Sequence, residues 1–108
     1  MSKSLTYQNV TKKDAIDVGI KFILLKEWLK IISQIYQWFK NHNMKVKHDG
    51  DGVIIYDGFE IKLNVVNNQY LQFEVSKGEV DLLSMRHSGN VKLLLRCLVA
   101  VLADPSTK

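Results

Sequence analysis

Apolar residues recur at Val18, Phe22, Leu25, Leu29, Ile32, Tyr36 and Phe39 in steps of four and three, with Leu24, Trp28, Ile31, Ile35 and Trp38 in a row beside them. Two adjacent rows at that spacing make a wide apolar face on an α-helix. Lys26, Glu27, Lys30, Ser33, Gln34, Gln37 and Lys40 fall together on the other side. The pattern predicts a helix laid across a core with one face in water. Thr11 starts it, because its hydroxyl can accept an orphan amide and Asp14, three residues on, can answer as a capping-box variant. Asn41-His42-Asn43 ends it, since Asn tolerates the left-handed conformation.

A helix over that whole span would hold about 30 residues and run roughly 45 Å, longer than a small domain is wide. The wheel also changes partway along it. Asp14, Asp17 and Lys21 project toward the sector that is apolar further on, while Ile16, Ile20 and Ile23 form a displaced stripe. Gly19 lies at the change. A bend there would fold the stripe into the core; a projecting first turn would leave it as a contact surface. Ile16, Val18, Ile20 and Phe22 also alternate as a strand would, but the cap at Thr11 favours helix.

The period then switches to two. Met44, Val46 and His48 alternate with Lys45 and Lys47, Asp49-Gly50-Asp51-Gly52 makes a turn, and Val53 to Tyr56 is a short β-branched strand. Asp57-Gly58 suits a hairpin turn with positive φ at both central residues. Phe59, Ile61, Leu63 and Val65 alternate with Glu60, Lys62 and Asn64. After Asn67-Asn68 come Leu71, Phe73 and Val75, with Tyr70, Gln72 and Glu74 on the other face. Lys77-Gly78 turns into a last strand from Glu79 to Ser84. Met85 to Asn90 reads as a loop, and a second helix from Val91 to Ala103 is capped by Ser88 or Asn90. That helix is apolar almost all round apart from Lys92 and Arg96, which predicts deep burial. The fold class is therefore α+β: a long N-terminal helix, an antiparallel meander of four to five strands and a C-terminal helix, with both helices on one face of the sheet. Met1 to Val10 reads as a loosely held lead-in, 11–104 as a single domain and 105–108 as a tail.

Composition adds bounds. At 108 residues, 46% apolar and 24% charged, the chain can build one core without staples. The single cysteine excludes an internal disulfide and fits a reducing compartment. No secretory leader pattern opens the chain, and charges interrupt each apolar run short of a bilayer's thickness. A cytoplasmic protein with no membrane association is the expectation.

Candidate chemistry is sparse. Asp49, Asp51 and Glu60 have some of the spacing of a calcium loop, but Val53 and Ile54 stand where an oxygen ligand and the obligatory glycine belong. Cys97 lies mid-helix among leucines, which favours an inert core thiol over a nucleophile served by His87. His42, His48 and His87 are too far apart in sequence to form a metal-ligand motif. No glycine-rich phosphate cradle or nucleophile elbow is present. The sequence calls for no cofactor, no metal and no enzymatic activity.

Two surfaces remain. The leading expectation is a protein partner or self-association, through Ile16, Ile20 and Ile23 and through the wet sheet face at Lys62, Asn64, Tyr70 and Gln72. Its competitor is nucleic-acid or anion binding by Arg86, His87, Lys92 and Arg96 around the second helix's start, supported by Lys45 and Lys47. A net charge of +4 permits such binding without requiring it. Trp28 and Trp38, with lysines nearby, lie on the face the sheet needs and read as core instead of a membrane-surface helix.

Overall fold

The computed structural model describes residues 5–48 and 52–105. Thr11 caps a helix as its sequence requires. Its Oγ1 accepts the Asp14 N–H at 3.2 Å, and the Asp14 carboxylate accepts the Thr11 N–H at 2.8 Å. This helix, α1 (Lys12–Val18), stops at Gly19, whose φ is 74°. The Gly19 and Ile20 N–H groups donate back to the Ile16 and Ala15 carbonyls, closing the last turn. A second helix, α2 (Phe22–Asn41), begins after Lys21. The single long helix expected from Thr11 to Asn41 is thus two helices, broken where the wheel changes. Lys21 offers no side-chain cap; instead its N–H donates to Asn68 Oδ1 at 2.8 Å, tying the start of α2 to a sheet turn.

Ahead of Thr11, the Val10 N–H donates to Thr6 O at 2.9 Å in a turn and Val10 is buried, while Met1 to Ser4 of the lead-in lie outside the described residues. At its other end α2 stops at His42, with Asn43 in the left-handed region at φ 56°.

The sheet runs β1 (Lys47–His48), β2 (Ile54–Tyr56), β3 (Phe59–Val66), β4 (Tyr70–Lys77) and β5 (Val80–Arg86), each strand antiparallel to the next and in sequence order across the sheet. It is a four-stranded meander extended at one edge by the two residues of β1. Asp57-Gly58 and Asn67-Asn68 all have positive φ, as tight hairpin turns matched to strand twist require. β5 runs two residues past its expected end: Met85 and Arg86 pair with Phe73 and Gln72 instead of looping.

Alternation sends Phe59, Ile61, Leu63, Leu71, Phe73 and Val75 to one face, where they meet Ile31, Ile32, Ile35 and Phe39 of α2. The last helix, α3 (Val91–Ala103), capped by Asn90 through its side chain, adds Leu94 and Leu98 to the same core. Both major helices therefore cover one face. α3 is less buried than its composition predicts: Leu94 and Leu98 face the core, and Leu93 and Val99, turned away from them, are exposed. Trp28 belongs to this layer, its indole N–H donating to the Leu63 carbonyl. Among the described residues, no helix is long and apolar enough to cross a membrane.

Candidate functional site

The break at Gly19 makes a corner between α1 and α2. Beneath it Val10, Ala15 and Leu25 form a small separate core, with Ile20, Phe22 and Leu29 packed around them. Of the displaced stripe, Ile20 is drawn toward that core, whereas Ile16 and Ile23 stay 78% and 75% exposed. Val18, which the periodicity places on the core row, is exposed as well, since α1 ends there and does not follow the axis of α2. The corner is fixed from three sides: the Thr11–Asp14 box, the Gly19 turn, and the Lys21–Asn68 hydrogen bond. Asn68 is missed by sequence reasoning, which saw only a turn residue. Its link to Lys21 spans 47 positions and leaves no local signal.

The wet sheet face carries all four residues expected there. Asn64 donates to Glu74 at 2.9 Å, Gln72 donates to Ser84 at 2.7 Å, and Lys62 pairs with Glu60 at 3.3 Å. The Arg86 guanidinium lies 4.4 Å from the Tyr70 ring centroid, a cation–π distance. The Lys62–Glu60 pair lies within β3; the other three links bridge neighbouring strands and hold the face in place.

The basic residues near α3 do not form one cluster. Arg86 stacks on Tyr70, and by strand alternation it belongs to the wet face, opposite the helices. The His87 side chain is only 6% exposed, with Nε2 3.5 Å from Glu27 Oε1 on α2; neither ring nitrogen makes a hydrogen bond, so the contact is electrostatic at most. Lys92 and Arg96 stay together, lining with Trp38, Leu95 and Val99 an open groove of about 360 Å³ between α2 and α3. Lys45 and Lys47 are exposed on the segment that leads into and begins β1, while Lys92 and Arg96 are exposed on α3.

No protein-family model, curated protein or solved structure matches this chain. The surface itself therefore carries the functional reading. Among the described residues, no group of three or more His, Cys, Asp and Glu side chains is placed to hold a metal ion. Asp49 and Asp51, the acidic part of the calcium-like turn, lie outside the described residues. Cys97 is half-buried on α3.

Proposed function

We propose that this is a non-enzymatic binding or regulatory module that acts through protein–protein contact, with the α1–α2 corner as its contact surface. One observation carries the reading: Ile16 and Ile23 are largely exposed on a corner fixed by a capping box and by the Lys21 hydrogen bond to Asn68 of a sheet turn. Exposed branched apolar side chains on a pre-organised surface bind with little ordering cost. Asp17, Lys21 and Lys26 supply a polar rim around them.

The pair Ile16→Asp and Ile23→Asp separates contact from folding. Both side chains are solvent-facing, so the unfolding free energy should stay within about 0.5 kcal/mol of the parent. A photo-crosslinking residue at position 18 should give a discrete adduct with a partner in cell extract, and the double variant should lose it. Retention of the adduct in the double variant would remove the corner from the reading.

A second reading is favoured by the groove beside Trp38, where an aromatic ring and two cations could take a nucleobase and its phosphates. It keeps Lys92 and Arg96 and sets aside buried His87. Fluorescence anisotropy with DNA and RNA probes would show affinity falling with salt, and Lys92→Ala with Arg96→Ala would reduce the slope by about one unit per lost phosphate contact. An unchanged slope would end this reading.

A further inference from the structure

The two edges of the sheet are unequal. β1 closes one with two residues, whereas β5 leaves seven residues along the other. Open edges of that length are templates for another strand. The His87 N–H donates to Leu71 O at 2.8 Å. Antiparallel alternation then turns the backbone groups of Met85 and Leu83 toward β4, and those of Ser84 and Arg86 outward. Leu83 stands opposite Val75 and Asp81 opposite Ser76, so Leu82 is an extra, bulged residue. Counting past the bulge, Asp81 joins Ser84 and Arg86 both in facing outward along the edge and in belonging to the wet face.

This arrangement is self-complementary. With a second copy laid antiparallel and Ser84 on the two-fold axis, Leu83 falls opposite the partner's Met85, and Asp81 falls opposite the partner's Arg86. The two-fold repeats the ion pair at the other end. Moving the register by two residues either way sets Asp81 or Arg86 opposite Ser84 and loses both pairs. A bulge and charges on an edge discourage pairing with an arbitrary strand; here the same residues favour one register with one partner.

The helix layer agrees. At 100° per residue, Lys92, Leu95, Arg96 and Val99 share the flank of α3 that faces the Trp38 groove. Leu93 and Cys97 lie on the side of α3 turned away from Leu95 and Val99; α3 packs on β5, and Leu93 is 39% exposed. Two copies related by the same axis would bring these apolar flanks toward each other across the seam.

We propose that the protein forms a homodimer by antiparallel pairing of β5 with β5 of a second copy, joining the two five-stranded sheets into one. The surface is separate from the α1–α2 corner, and the proposal does not rest on the corner's role. Light scattering coupled to size exclusion, run on the full chain from about 1 to about 100 µM, should show a dimer that dissociates on dilution. Asp81→Arg alone, or Arg86→Asp alone, places like charges opposite each other twice and should raise the dimer Kd by about tenfold or more. The double exchange, Asp81→Arg with Arg86→Asp, restores opposite pairs and should return Kd to within about threefold of the parent. Asp81 is exposed and its replacement leaves the Arg86–Tyr70 stack in place, so that single variant tests the interface without disturbing the sheet. A parent that stays monomeric throughout, or a double exchange as weak as the single variants, would overturn the proposal. So would a dimer lost on Ile16→Asp with Ile23→Asp but untouched by charge reversal, which would place self-association at the corner.

Discussion

A β-carbon built on Gly52 would overlap the ring of Trp28, and the residue's φ is 79°. Gly19 has nearly the same φ, 74°, but nothing lies near its missing side chain. The two glycines therefore separate backbone strain from packing. Gly19→Ala should cost about 1 kcal/mol, the left-handed penalty for an L-residue. Gly52→Ala adds overpacking against a large ring and should cost about 3 kcal/mol in all. Urea unfolding midpoints of the two variants would check the difference, and equal losses would mean that Trp28 moves aside freely. Local chemistry made Gly52 legible as a turn residue, but nothing local placed Trp28 above it. His87 shows the same division. Its sequence neighbours put it in a basic cluster, yet the fold carries it under Glu27, because β5 continues far enough for the His87 amide to join the ladder.

Among the elements, α1 is the one that depends most on its cap. Seven residues are too few for an isolated helix to persist in water. Removing the cap with Thr11→Ala should cost about 1 kcal/mol. The loss should be local: α1 amides should exchange faster with solvent while those of α2 keep their protection. Equal loss of protection in both helices would show the corner unfolding as one unit. The capping box, the hairpin turns and the start of α3 at Asn90 were all readable, since each rests on contacts within a few residues. The break at Gly19 was half-readable: the wheel showed a change, but whether the helix bends or stops depends on the Lys21–Asn68 link across 47 positions. The end of β5 was misplaced for a similar reason. Met85 and Arg86 carry weak local strand signals, and it is pairing with Phe73 and Gln72 that extends the strand.

At the scale of the whole molecule, one core joins the sheet's apolar face to α2 and α3, and a smaller one fixes the corner where α1 turns away. The sequence by itself determined the α+β class, the meander, the face of each strand and the helix face turned to the core. Those follow from periods of two and 3.6 residues and from caps and turns, which act between near neighbours. The tertiary structure alone decided which apolar residues stay in water. Ile16 and Ile23 are exposed because α1 leaves the axis of α2, and Leu93 because it lies on the side of α3 turned away from Leu94 and Leu98. It also separated Arg86 from Lys92 and Arg96, placing a sheet between residues close in sequence. Periodicity states which side chains share a face. Whether that face is covered depends on the elements that arrive from elsewhere in the chain, and only their packed positions settle it.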